Sequence, residues 1–574
     1  MRHLLAALMV LALAACGGGG GSSSSGGSGS GGSGSGPPPP KPTAAEAARL
    51  LTQASFGPTE ASIADVQSQG ISAWINAQEA MALPATSHQA YVESVMAANS
   101  GSADANAFYA SWWRQAATEP GQLRQRVAFA LSQIFVISLA DPNIDVRGAA
   151  SYYDMLERDA FGNFRQLLQD VTYHPQMGLY LTFLANQKED AAGTRTPDEN
   201  YAREVMQLMT IGLQQLNADG SVKLDGSGNP IPTYSSADIQ GLAKVFTGLS
   251  WYNAAPTNST FFGGSADANR AVTPMIAYPN FHSTSAKSFL GTTIAASATI
   301  NVAGDITTAL DTLYNHPNVG PFIAQRLIQQ LITSNPSPAY VGRVAAVFAN
   351  NGSGVRGDMG AVVSAVLTDS EARDISVASS TSFGKLREPV VRLANWARAF
   401  GATSQTGNWL ITSTSANTSL NQAPLTSPSV FNFWRPGFTP PGTTQLGSRN
   451  LLSPEFQVVD EVTVASYINV MQDWINQGVG STPPGGTGRD VRSAYTSEIA
   501  LTDDPTALVN RMNNLLFYGQ MSATLQGRIN TAISAVAIPA SNGTNQAAID
   551  TARLNRAKTA VFFSMISPEY LVQR

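Results

Sequence analysis

Apolar residues recur at helical spacing along most of this chain. Thr43-Ala44-Ala45-Glu46 reads as a capping box, and Ala48, Leu51 and Ala54 continue an apolar face behind it. Residues 121–140 hold Val127 to Leu131 and Ile134 to Ile137, an apolar run shorter than a membrane span. It predicts a buried core helix. Further helices are predicted over 151–185, 196–215, 235–250, 319–333, 337–350, 358–368, 383–400, 453–476, 504–518, 523–537 and 544–566. Thr196-Pro197, Ser337-Pro338 and Ser453-Pro454 place proline just after a capping residue, where a helix tolerates it.

Strand signals are sparse. Residues 221–234 predict a hairpin around Asp225 to Asn229, and 292–302 a second short pair. The stretch 403–450 is polar and proline-rich and predicts an irregular wrap or lid. The expected fold is therefore mainly α: a large multi-helix body over 43–574 with small β-hairpin insertions. Its length predicts two packed helical lobes, 43–400 and 401–574.

The first 42 residues follow another pattern. Arg2 precedes an apolar run from Leu4 to Leu13, and Leu13-Ala14-Ala15-Cys16 ends it. Small residues before a cleavage point mark an export signal. A cysteine at the first mature position is what a bacterial lipoprotein acylates. Residues 1–15 are thus expected to be a lipoprotein signal peptide, with Cys16 the lipidation site and membrane anchor. Residues 17–36 are all Gly or Ser, and Pro37 to Pro40 follow. Residues 16–42 make a lipid-anchored tether whose Gly/Ser part has a reach of about 25 Å. The expected location is the bacterial cell envelope, anchored at the outer membrane.

Composition sharpens the picture. Only 13% of the 574 residues are charged, the net charge is -5, and Cys16 is the sole cysteine. An intramolecular disulfide and cysteine-based metal centres are excluded. With no basic run, nucleic acid is not an expected partner.

No nucleophile elbow, zinc-binding His-Glu-x-x-His or phosphate-binding Gly-Lys-Ser/Thr loop occurs. Gly352 to Gly357 matches Gly-x-Gly-x-x-Gly but follows a predicted helix, so it reads as a helix connection. Asp219 to Asn229 alternates oxygen-bearing residues but lacks the terminal acid of a calcium loop.

One segment concentrates polar chemistry. In Thr196-Pro197-Asp198-Glu199-Asn200-Tyr201-Ala202-Arg203-Glu204 and onward, Asn200, Arg203, Glu204 and Gln207 share about 100° of helix arc. Glu204 and Glu199 are candidate acid/base groups. Asn200 and Arg203 are candidate ligand contacts. The structural alternative is a capping box from Thr196 to Glu199 plus a Glu199–Arg203 pair.

His282 is the candidate proton carrier, with Lys287 beside it in sequence. Asp238, near a helix start, is a further ligand candidate. His174 and His316 sit before prolines and read as caps or surface residues. Lys385 to Pro389 could set a cation near an anion. Pro428 to Phe438 carries four aromatics that either plug the core or line a groove.

These residues carry a likeness. Ala48 to Pro58, Tyr153-Asp154-Met155-Leu156, Ala160 to Arg165, Asp198 to Glu204, Phe246 to Leu249, Phe281-His282, Lys287 to Gly291 and Ser567 to Tyr570 together resemble the bacterial domain of unknown function 1800 family. The resemblance implies an exported, mainly helical protein without an established activity. It also implies an exported, sulfatase-like partner protein, because such a family is often encoded alongside. Two positions depart from the family pattern. Met209 stands where a histidine is frequent, and Ser283 follows His282 where an aspartate is frequent. If those residues ligate metal in relatives, this chain lacks them. No metal is assigned and no cofactor can be named.

Two functions are compatible with these features. The first is a surface-anchored binding or assembly protein, suggested by the anchor, tether and aromatic loop. The second is an envelope hydrolase in which Glu204 or Glu199 transfers protons, Arg203 clamps substrate and His282 carries a proton. The hydrolase requires Glu204 and His282 to meet across a cleft.

Overall fold

Thr43 starts the fold as a helix cap. Its hydroxyl accepts from Glu46 N at 3.2 Å, and the Glu46 carboxylate accepts from Thr43 N at 2.7 Å. The structure is a computed structural model that describes residues 41–442 and 445–574. The signal peptide, Cys16 and nearly all of the tether lie outside the described residues.

Helices dominate, with 26 α-helices and four two-stranded antiparallel ladders among the described residues. Every residue of Gln122–Ser132 is buried, including Arg124 and Arg126. Among the described residues no helix is long and apolar enough to cross a membrane.

The predicted 151–185 helix is three shorter ones. Asn163 caps Phe164–Tyr173, and His174 caps Pro175–Tyr180 through Nδ1, which accepts from Gln176 N. Proline stands at the start of Pro338–Ala349, Pro389–Ala399, Pro505–Phe517 and Pro568–Leu571. The region 221–234 closes through isolated antiparallel bridges, Leu216 to Val222 and Leu224 to Pro230. Asp225 holds that turn by accepting from Ser227 N and Asn229 N. Thr292–Ile294 pairs with Lys287–Phe289.

Lys41–Arg574 forms one compact unit. A continuous buried cluster runs from Ala47 to Tyr570, with Phe56 edge to face on Trp112 and Phe129 tilted against both near its start. Residues on both sides of position 400 interlock. Lys385–Leu386 pairs with Val572–Gln573, and Thr403–Ser404 pairs with Val491–Arg492. The 403–450 stretch is largely irregular, as expected, and tucks Phe433 and Trp434 into the body.

Candidate functional site

The polar helix is Asn200–Gln207. Its start differs from the predicted capping box. The cap comes from Asp198, whose Oδ1 accepts from Asn200 N at 2.7 Å and whose Oδ2 accepts from Thr182 Oγ1 at 2.9 Å. Asn186 holds that segment by exchanging two hydrogen bonds with the Asp198 backbone. The helix begins at Asn200, so Thr196 lies too far upstream to cap it, whereas Asp198 reaches its first N–H.

Glu199 and Arg203 form an exposed i,i+4 pair at 3.2 Å. The Asn200 side chain donates to Thr182. Glu204 turns inward instead. It is buried, its Oε2 has no partner, and burial pushes its carboxyl up while Arg203 offsets this in part.

His282 lies in a second constellation. It is buried, with Nδ1 2.7 Å from Thr247 O and Nε2 3.0 Å from Asp305 Oδ2. Lys287 reaches the same Asp305 oxygen at 2.9 Å. Ser283 donates to Glu189 Oε1, as does Ser285. Burial would raise the Glu189 carboxyl, but these serines and Lys244 hold it below the usual range. Asp238 completes a capping box with Ser235 and accepts from Leu290 N at 2.7 Å, so it ties a helix start to the turn after Phe289.

The structure thus joins Glu199 to Arg203, and His282 to Lys287 through Asp305. It does not join Glu204 to His282, which make no hydrogen bond to each other.

A cleft opens at the C-terminal end of the polar helix. Its volume is about 60 Å³, and Leu208, Phe322, Arg326, Gln329, Phe431 and Trp434 are among its walls. Behind them lies a buried charge network. Lys385 pairs with Glu455 at 3.1 Å, and both Lys385 and Arg126 donate to Gln330 O. Glu388 accepts from Gln133 and Gln422. Gln133 in turn accepts from Asn432 of the aromatic loop at 2.8 Å. Burial pushes the Glu455 carboxyl up, and Lys385 only partly reverses it.

The loop therefore does both things predicted for it. Phe433 and Trp434 plug the core, while Phe431 and Trp434 line the cleft.

Arg326 stands apart in that network. Its guanidinium lies over Phe322 at 4.9 Å and donates to Gln329 at 3.0 Å. Among the described residues no carboxylate pairs with it. Burial alone pushes it down to about 10, with no acid offsetting the loss of water.

The family described as "protein of unknown function (DUF1800)" matches residues 49–572. The chain belongs to the DUF1800 family. No curated protein and no solved structure matches it.

In this DUF1800 chain, several motif residues act as architecture. Asp154 accepts from the backbone N–H groups of His88 and Gln89, and Glu157 bonds His88 Nε2 at 3.0 Å. Ligand atoms of His88, Asp154 and Glu157, one from each, lie within 4.8 Å of one another; Glu157 takes one His88 ring nitrogen and Ser111 the other, while Asp154 bonds the backbone. They pin the His88–Ala98 helix. Met209 is part of the core.

Sequence reading missed Arg326 and the burial of Lys385 to Glu388. One signal was available for the first. An arginine with three neighbouring glutamines interrupts the otherwise apolar helix Val319–Leu331.

Proposed function

We propose that this DUF1800 protein is an exported lipoprotein, anchored through Cys16, that binds a partner at the cell envelope and holds a carboxylate of that partner in the Arg326 cleft. The observation that carries this reading is a partly buried guanidinium that pairs with no carboxylate among the described residues, facing a cleft whose one acidic side chain, Glu455, is held by Lys385. Desolvating a cation without a partner is costly, and an incoming carboxylate would offset that cost. The cleft admits about the volume of one such group with little to spare, so the rest of the partner would lie on the loop rim around Phe431.

The aromatic wall and the amides of Gln329 and Asn432 would orient the group. The hydrolase reading has less support, because His282 is engaged by Thr247 and Asp305 and makes no hydrogen bond to Glu204.

The test is crosslinking capture from the envelope of the native host, comparing the mature chain with Arg326→Gln, Arg203→Ala and Glu204→Gln. Loss of the captured set in Arg326→Gln, with retention in Arg203→Ala, is the expected result. An unchanged set in Arg326→Gln would contradict the reading. Lost turnover of an envelope polymer in Glu204→Gln would favour the hydrolase instead.

A further inference from the structure

A second cavity is lined by Arg387 of the Lys385–Pro389 segment. Its volume is about 530 Å³, inside the range of small-molecule sites. Ile375, Arg387, Phe517, Tyr518, Gln520 and Arg574 are among its walls.

Arg387 is 4% exposed. Its guanidinium stacks over Tyr570 at 4.4 Å and donates Nη2 to Leu516 O at 3.1 Å, while Nε has no acceptor. The one acidic side chain in the lining, Glu569, is already taken, because it accepts from Ser522 N at 2.9 Å and Ser522 Oγ at 2.6 Å.

More positive charge sits behind the wall. Arg49 is 2% exposed and donates Nε to the backbone oxygen of Arg574 and Nη1 to that of Arg373. Arg49 Nη2 and Arg373 Nε have no acceptor. Burial and the nearby Arg49 push Arg373 down to about 9. Among the described residues, Arg49, Arg373, Arg387 and Arg574 form no ion pair with any side-chain carboxylate.

Two guanidinium groups, Arg387 and Arg574, thus line the cavity, and Arg49 and Arg373 are linked to it through the Arg574 backbone; Arg49, Arg373 and Arg387 each keep one buried N–H donor without an acceptor. The Leu516 and Arg373 carbonyl oxygens satisfy hydrogen bonds without supplying a full negative charge. Arginine forks match oxyanions, and several of them exceed what one monovalent anion neutralises. The apolar walls formed by Ile375 and Phe517 leave room for an organic body.

We propose that this cavity binds a small organic ligand bearing a multiply charged oxyanion, held by Arg387 and Arg574. Phosphate esters and polycarboxylates share that chemistry. The proposal is independent of the Arg326 cleft.

The test is isothermal titration of the full mature chain at fixed ionic strength with glycerol 3-phosphate, with citrate, and with acetate as the monovalent control. Saturable one-site binding of glycerol 3-phosphate or citrate, well above acetate, is expected, and which of the two binds identifies the source of the oxyanion. Arg574→Ala, an exposed side chain, should weaken it about tenfold, the loss of one charge-assisted hydrogen bond. Arg387→Lys keeps the charge but loses the fork and should weaken it comparably. Should that buried variant fail to fold, Arg574→Ala decides alone. Binding no stronger than acetate would overturn the proposal, as would wild-type affinity in Arg574→Ala. Loss of binding in Arg326→Gln would also overturn it, by placing the anion in the other cleft.

Discussion

Glu204 shows what a single side chain contributes here. It shares a helix with Arg203 yet is buried with one oxygen unpartnered. Its native pKa is raised by burial, so the folded chain holds the proton more tightly than the unfolded chain. Ionisation therefore opposes folding. The penalty is absent below the ordinary glutamate range and complete above the raised native value. Glu204→Gln is expected to melt higher than wild type at pH 8, with the gap closing by pH 4. Equal midpoints at both values, measured by calorimetry, would contradict this assignment.

Its neighbours Glu199 and Arg203 are different. They are an exposed pair of a kind worth about 0.5 kcal/mol or less. The sequence placed Arg203 and Glu204, with Asn200 and Gln207, on one polar face. Helical periodicity fixes angular position but not which arc faces the core, and the inward turn of Glu204 depends on packing it does not encode locally.

At the scale of elements, the helices were readable because caps and prolines are local signals. Thr43, Ser235 and Ser337 cap the helices predicted to start there. The ladders were less readable, since Lys385–Leu386 finds its partner at Val572–Gln573, nearly two hundred residues later. Close approach was hidden as well.

Gly241 faces the strand Lys287–Phe289, and a Cβ there would lie 1.8 Å from Ser288 O. That contact places the strand leading from His282 against the Ser236–Val245 helix. Gly241→Ala is expected to cost about 1–3 kcal/mol by forcing the two apart. Urea unfolding would check it, and a change below about 0.5 kcal/mol, the ordinary range of a surface substitution, would show that the contact is slack.

Across the whole molecule, the residues that build the cleft come from distant segments. Gln133, Arg326, Asn432 and Glu455 meet there, and Lys385 and Glu388 join them from behind. No spacing rule links them, so the network was invisible in the sequence, although the aromatic loop and the Lys385–Pro389 segment were each noticed. The same interlocking yields a prediction about the chain. A 43–400 fragment would lose Tyr495 bonded to Trp396 and the strand partner of Lys385–Leu386. It is expected to be digested within the time the full body resists, in limited proteolysis. A resistant 43–400 fragment would show that the first part folds alone.

The account rests on Arg326 holding a carboxylate, and calorimetric titration of butyrate against its uncharged isostere butyramide tests that most directly. The mature chain should prefer butyrate by at least about tenfold, the value of one charge-assisted hydrogen bond, and Arg326→Gln should lose the preference. Equal binding of the two probes by wild type, or an undiminished preference in Arg326→Gln, would contradict it.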